Sequence, residues 1–206
     1  MLVCAGLLLA HTVLADRASE LITFASIKPG DKIADFMPDG GDFTRLFCKV
    51  VGDAGHVYVI GVPQLAVPSA SEVAGDCHNV TTSNLKSRLV PAPELHDDSD
   101  PGYVYEYWSS SPAAENFTAP EPLDVIWTSD NYHDLHNKAF GSPDMSRVNT
   151  ALLAALKPGG LLLIEAHAVK QVRQEVTEAG FEFAGGLHDG AAKRTVLKFR
   201  KPPSQH

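Results

Sequence analysis

The chain has 206 residues, of which 44% are hydrophobic, with 17 Lys and Arg against 25 Asp and Glu. This length and hydrophobic content fit one globular domain with a core of its own. The formal net charge of -8 excludes a typical nucleic-acid-binding protein, which presents a basic face to phosphates. Three cysteines exclude a disulfide-rich scaffold. No apolar run reaches the roughly 18 residues that a membrane span requires.

Residues 1–15 contain no Asp, Glu, Lys or Arg and end on Val13, Leu14 and Ala15. Such an apolar stretch with a small residue at its end is typical of a secretory signal peptide. The positive charge that usually opens these peptides is missing, and a buried N-terminal helix is the alternative. A cleaved signal predicts a periplasmic or secreted protein, and otherwise the cytoplasm is expected. Cleavage would leave Cys48 and Cys77 as the remaining thiols, but their spacing alone does not establish a disulfide.

The first third of the chain predicts a parallel β-α-β unit, because a strand, a glycine-rich turn, a helix and a second strand follow one another. A short amphipathic helix precedes this unit. A loop-rich connection with room for one short helix follows it, since residues 63–102 hold five prolines. The predicted ranges are helix 16–28, strand 32–36, turn 38–42, helix 43–51 and strand 56–62.

The second half predicts further strands and helices in alternation. Two strands at the end are joined by a short glycine-rich connection, which favours an antiparallel hairpin over another crossover. The predicted ranges are strands 103–108 and 123–128, helix 145–156, a stop at 157–160, strand 161–165, helix 169–179, and strands 181–183 and 195–199.

Three segments resemble class I S-adenosylmethionine-dependent methyltransferases. Leu156-Lys157-Pro158-Gly159-Gly160 and the apolar strand after it resemble the entry to the fifth strand of these enzymes. Residues 127–137 and 196–202 resemble a narrower group, the exported bacterial "predicted methyltransferases". The resemblance covers roughly residues 16–203 as a single domain. It implies an α/β, Rossmann-like fold whose mostly parallel seven-stranded sheet ends in an antiparallel hairpin. A dinucleotide oxidoreductase is disfavoured, because no G-x-G-x-x-G follows the first strand.

The resemblance implies S-adenosyl-L-methionine as cofactor and assigns residues to its site. Glycine amides in the turn after the first strand approach the ligand, although Met37 and Asp39 stand where glycines are common. Asp39 and Asp42 either attract the cationic cofactor or cap the following helix. The second strand lacks the acid that accepts the ribose hydroxyls, and Gln64 is its weak substitute. The implied cofactor residues are Asp35, Met37, Asp39, Gly40, Gly41, Gln64, Glu115, Asn116, Asp130 and Asn131; Glu115 and Asn116 are assigned to the adenine because they follow the predicted third strand.

The catalytic candidates follow the strand at 123–128, where open parallel sheets place their ligands. His133 is predicted as the base that deprotonates the acceptor, Asp134 as its orienting partner, and Tyr132 as an aromatic wall. Alternatively, His133 and Asp134 cap the next helix. The segment Glu165-Ala166-His167 is a second candidate cluster. No ligand motif supports a metal site, so none is predicted.

The function predicted from these residues is methyl transfer to a small-molecule acceptor. The alternative is a catalytically degenerate, Rossmann-like binding protein, favoured by the missing ribose acid and the depleted glycine turn. Segments that help to cover the active site in the resembled enzymes are short here, between Glu165 and Val169 and before the last strand. The sequence predicts neither the acceptor nor the oligomeric state.

Overall fold

The computed structural model describes residues 18–38, 40–65, 67, 69–91, 95–97, 100–105, 108–189 and 194–204. The predicted signal segment therefore lies outside the described residues. The helices are α1 (residues 18–25), α2 (Asp42–Val51), α3 (Ala70–Ala74), α4 (Met145–Ala155) and α5 (Val169–Glu178).

Seven strands form one central sheet, and four short ones form two separate pairs. The central strands are β1 (Lys32–Phe36), β2 (His56–Gly61), β3 (Val80–Asn84), β8 (Leu123–Ser129), β9 (Leu156–Ala166), β10 (Glu182–Asp189) and β11 (Arg194–Arg200). The paired strands are β4 (Arg88–Pro91) with β7 (Trp108–Ser111), and β5 (Leu95–Asp97) with β6 (Asp100–Tyr105).

The central sheet has the order β10-β11-β9-β8-β1-β2-β3. Strands β3, β2, β1, β8 and β9 are mutually parallel, and β11 runs antiparallel between β9 and β10. This confirms the predicted mostly parallel seven-stranded sheet with a C-terminal antiparallel hairpin. The order reverses at β1, so the carboxyl ends of β1 and β8 flank the crevice in which such sheets bind ligands.

The prediction of the third strand was wrong. The strand beside β2 is β3, which lies inside the connection predicted to be loop-rich, whereas β6 and β7, in the region predicted as strand 103–108, belong to the small pairs. The short helix expected in that connection is α3. The four residues after Leu156, predicted as a stop between helix and strand, also differ from prediction, because β9 already begins at Leu156 and includes Gly159 and Gly160.

Apolar side chains alternate between the two faces of the sheet, as a sheet covered by helices on both sides requires. On β1, Ala34 and Phe36 pack with α4 and α5, whereas Ile33 packs with α1 and α2. A disulfide between Cys48 of α2 and Cys77 joins α2 to the segment that follows α3. Within the described residues, no helix is long and apolar enough to cross a membrane.

Candidate active site at the carboxyl edge of the sheet

Strand β1 places the buried carboxylate of Asp35 at the carboxyl edge of the sheet. Asp35 is 1% exposed, and the Thr44 hydroxyl of α2 donates a hydrogen bond to Asp35 Oδ2 at 2.6 Å. Burial of a charged group without such partners is costly, so Thr44 fixes the carboxylate where the chain leaves the sheet. The sequence prediction placed Asp35 at the end of this strand, and the structure does the same.

The turn after β1 is tied to the end of β8. Met37 has a φ of 54°, a left-handed conformation that costs a non-glycine residue roughly 1–2 kcal/mol. Its side chain is fully buried, and its carbonyl accepts a hydrogen bond from Asn131 Nδ2 at 2.6 Å. Two predicted cofactor residues from distant parts of the sequence are thus brought into direct contact.

The two glycines of the turn have different roles. A Cβ on Gly41 would lie 2.8 Å from the Val73 carbonyl oxygen of α3, so Gly41 is needed for helix packing. A Cβ on Gly40 would meet nothing within 4 Å, so this backbone faces open space. Gly41 is also the N-cap of α2; Asp42 is the first helical residue rather than the cap that was predicted. Asp39 lies outside the described residues.

The end of β2 is closed by neighbouring side chains. A Cβ on Gly61 would lie 2.0 Å from Val67 Cγ2 and 2.5 Å from Asn84 Oδ1. Val67 therefore occupies the space that an acidic side chain at Gly61 would need. Gln64, the predicted substitute, is exposed. The residues described between Gly61 and Val67 supply no carboxylate of the kind that the resemblance implies for a cofactor ribose.

Glu115 and Asn116 do not follow the third strand, and their assignment to the adenine was therefore based on a wrong strand. They lie in a short 3-10 helix, Ala113–Asn116, that follows β7. Glu115 Oε1 accepts a hydrogen bond from the backbone of Asp144 at 2.8 Å, and Asn116 donates to the carbonyl of Lys86. Glu115 thus connects this helix to the start of α4, and Asn116 connects it to the loop after β3.

Three consecutive residues after β8 point in three directions. Asn131 reaches the β1 turn, as described above. Asp130, with a φ of 53°, directs Oδ2 to Arg194 of β11 at 2.9 Å. Tyr132 is 1% exposed and accepts a hydrogen bond from Asn149 of α4 at 2.9 Å. Burial raises the pKa of the Tyr132 phenol above its usual range, so Tyr132 is a neutral core residue and not an exposed aromatic wall.

The predicted base and its partner lie side by side in the 3-10 helix His133–His136. His133 Nε2 is 3.2 Å from Asp134 Oδ1, and the His133 side chain is 59% exposed. His136 instead contacts both carboxylate oxygens of Glu175 on α5, at 3.0 and 3.1 Å. His136 therefore holds this turn against α5, while His133 stands in open solvent.

Sequence reasoning missed two residues of this edge. Arg194 lies at the start of the final strand and pairs with Asp130, and Val67 closes the end of β2. In the sequence, Arg194 is marked only by its place directly before the predicted strand 195–199. The fold places that strand next to β9. Among the described residues, no group of three or more His, Cys, Asp or Glu is arranged to hold a metal ion.

Comparison with known proteins gives one curated relative and many structural neighbours, whereas no family model matches the chain. The ubiquinone/menaquinone biosynthesis C-methyltransferase UbiE of Neisseria meningitidis serogroup C is 30% identical over 146 residues, which is 69% of this chain and 45% of that protein. The chain thus spans less than half the length of this relative.

Two solved structures share the fold over most of their length. A SAM-dependent methyltransferase from Aquifex aeolicus has a TM-score of 0.61 at 15% identity, covering 89% of this chain and 88% of the other. The N-methyltransferase NodS of Bradyrhizobium japonicum, in complex with S-adenosyl-L-homocysteine, has a TM-score of 0.59 at 15% identity, covering 91% and 87%. The chain therefore has the α/β fold of the class I S-adenosylmethionine-dependent methyltransferases, and over 69% of its length it is similar in sequence to a methyltransferase.

Proposed function

We propose that this protein transfers a methyl group from S-adenosyl-L-methionine to a small-molecule acceptor. One observation carries the proposal: the Asn131 side chain joins the β1 turn to the end of β8, at the switch point where open sheets bind ligands. The similarity to a methyltransferase and the complex of NodS, a protein of the same fold, with S-adenosyl-L-homocysteine support the choice of cofactor. The net charge of -8 favours a small acceptor over a nucleic acid.

The cofactor would be held from the turn side. Gly40 leaves open space beside its backbone, and α2 begins at a glycine that offers no capping side chain, so amides of the first helical turn are available to a ligand. Asp35 supplies negative charge below the turn, and Asn131 keeps the turn in place. When bound, the cofactor supplies an activated methyl group on a positively charged sulfur.

A second function, a non-catalytic binding protein derived from this family, is favoured by the closed end of β2. Val67 and Asn84 fill the space beside Gly61. A ligand without a ribose would not need the missing carboxylate. The two functions therefore differ in whether the nucleoside end of the cofactor is accepted.

Calorimetry with S-adenosyl-L-homocysteine separates these two functions. Methyl transfer requires saturable binding, and ligand at 100 times Kd should stabilise the protein by about 2.7 kcal/mol. The double variant Gly61→Asp/Val67→Ala supplies the acid and removes the nearest atom in its way, Val67 Cγ2, while the exposed Asn84 side chain can rotate aside. It should therefore bind more tightly than the wild type. Leu89→Ala, at a side chain that is 72% exposed, is the control. If neither wild type nor double variant binds at millimolar ligand, the methyltransferase proposal fails.

We further propose that the protein works outside the cytoplasm. The apolar residues 1–15 and the disulfide between Cys48 and Cys77 support an oxidising compartment. Mass spectrometry of the mature N-terminus tests this. A chain that retains residues 1–15 in cells, with both thiols free, would overturn the proposal.

A further inference from the structure

A cluster of charged and polar side chains lies at the carboxyl ends of β8 and β9, on the side of β8 away from the β1 turn. We call it the β8–β9 cluster, and its members are Ser129, Asp130, Glu165, His167 and Arg194. Arg194 Nη2 lies 2.9 Å from Asp130 Oδ2, and Nη1 lies 3.7 Å from Glu165 Oε2. Ser129 donates a hydrogen bond to Glu165 Oε2 at 2.8 Å. Three strands thus converge on two carboxylates and one guanidinium.

The backbone of Asp130 is strained at this point. Its φ of 53° is a conformation that costs a non-glycine residue free energy and that is often found at functional sites. A hydrogen bond from the Asp130 amide to the Glu165 carbonyl, 3.2 Å long, joins the two strand ends. Because of this backbone conformation, the Asp130 side chain faces β9 and β11, whereas the Asn131 side chain faces the β1 turn.

His167 connects this cluster to the surface. Its Nε2 is 3.3 Å from Asp130 Oδ1, and its side chain is 55% exposed. Asp130 Oδ1 is buried and, among the described residues, makes no hydrogen bond, so the His167 imidazole is the polar group beside an unsatisfied carboxylate oxygen. A surface pocket of about 580 Å³ adjoins the imidazole and is lined by His167, Ala168, Val169, Lys170, Gln171 and Gln174. Its volume lies in the range of sites for small molecules.

We propose that His167 is the general base of this site and that Asp130 is its positioning residue. This inference rests on the proposed methyl transfer and names the acceptor class: a small molecule whose O–H or N–H group enters the pocket of His167. We assign the proton of the neutral imidazole to Nε2, the nitrogen beside Asp130, which leaves the lone pair of Nδ1 available to the acceptor. The acceptor's O–H or N–H bond breaks, the proton goes to Nδ1, and the electron pair stays on the acceptor atom. The resulting imidazolium faces the Asp130 carboxylate, which stabilises its charge.

The geometry favours His167 over the other two histidines near this edge. His133 pairs with its exposed neighbour Asp134, and His136 is held by Glu175. His167 has a carboxylate partner that is itself fixed by Arg194, and it lines a pocket. An oriented imidazole beside a cavity is the arrangement that proton abstraction requires.

The tautomer of His167 can be measured without any ligand. Long-range proton–nitrogen NMR correlations of the labelled protein, assigned by the loss of signal in His167→Gln, should show the Nε2–H tautomer. Asp130→Ala should weaken that preference to the ratio shown by the exposed His78, because an imidazole without a partner keeps only its weaker intrinsic preference for Nε2–H; an unchanged ratio would show that Asp130 does not orient His167. A dominant Nδ1–H tautomer in the wild type would overturn the inference, since the nitrogen proposed as the base would already carry a proton.

Kinetic measurements test whether His167 is the general base. They also distinguish a failure of that role from a failure of the proposed methyl transfer. Small phenols, hydroxy acids and amines serve as acceptor probes. His167→Gln should lower kcat at least about 100-fold, the usual effect of losing a general base, and should leave the Kd of S-adenosyl-L-homocysteine within about twofold. If the wild type does not bind S-adenosyl-L-homocysteine, the proposed methyl transfer fails. The NMR measurement of the His167 tautomer then still tests whether Asp130 orients the imidazole. If ligand binding and turnover both persist in His167→Gln, or His133→Gln alone loses turnover, His167 is not the base.

Discussion

The two halves of the carboxyl edge are held by different kinds of interaction. At the ends of β1 and β2, Val67 fills the space beside Gly61, whereas the disulfide of α2 lies near the opposite edge of the sheet, between the last turn of α2 and the segment that leads into β3. At the ends of β8 and β9, Asp130, Glu165 and Arg194 form a charged cluster. Desolvated charges cost free energy, so they indicate a use beyond stability. The first half is therefore closed by packed side chains, and the second half holds charged side chains of opposite sign.

The largest expected effect comes from removing the disulfide that holds α2. Cys48 and Cys77 are 29 residues apart, and the chain-entropy argument predicts roughly 3.6 kcal/mol of stabilisation for a loop of that length. The double variant Cys48→Ala/Cys77→Ala should lose about this amount in urea denaturation. A reductant should destabilise the wild type similarly and leave the double variant unchanged. If the wild type is equally stable with and without reductant, the disulfide does not contribute to the free energy of unfolding.

The two turn glycines give a matched pair of substitutions. Gly41→Ala should cost about 3 kcal/mol, because the left-handed backbone and the close contact with Val73 are both unfavourable for a side chain. Gly40→Ala should cost only about 1 kcal/mol, since its Cβ meets nothing and the conformational cost alone remains. Chemical denaturation measures both. Equal losses would mean that α3 does not pack tightly on the turn.

Most of the fold could be predicted from the sequence, because continuous apolar runs and glycine-rich stops mark the buried strands. Strand β3 escaped prediction for a physical reason. Its sequence Val80–Asn84 is mostly polar and pairs with β2 alone, so it need not be apolar on both faces. The aromatic residues near 103–108 suggested a central strand, but β6 and β7 form small pairs outside the sheet.

The site was predicted in part. Asp35, Met37 and Asn131 could be placed, because strand ends of a parallel sheet meet at one edge. The direction of the Asp130 side chain depends on a left-handed backbone that an aspartate rarely adopts, so the sequence did not reveal its pairing with Arg194. Val67 closes the end of β2 because the loop after that strand folds back onto Gly61. A local sequence pattern does not predict such a contact.

Tyr132 tests whether the residues after β8 are structural or exposed to substrate. Tyr132→Phe should cost about 1–2 kcal/mol, because the fully buried Asn149 loses the hydroxyl that accepts its hydrogen bond. His133→Gln, on an exposed side chain, should change stability by less than about 0.5 kcal/mol. Thermal denaturation compares the two. A Tyr132→Phe variant as stable as the wild type would show that the hydroxyl is not part of the packed core.

The smallest expected effect is a pH dependence at the start of β2. Burial lowers the pKa of His56, the charge of Lys32 lowers it further, and Glu121 opposes the shift. The folded state therefore prefers the neutral imidazole, and between the two pKa values the unfolded chain binds more protons. The free energy of unfolding should thus fall as the pH drops below about 6.5. His56→Gln should flatten this fall between about pH 7.5 and about pH 5, measured by urea denaturation. Identical slopes in variant and wild type would place the acid sensitivity elsewhere, with the β8–β9 cluster as the next region to test.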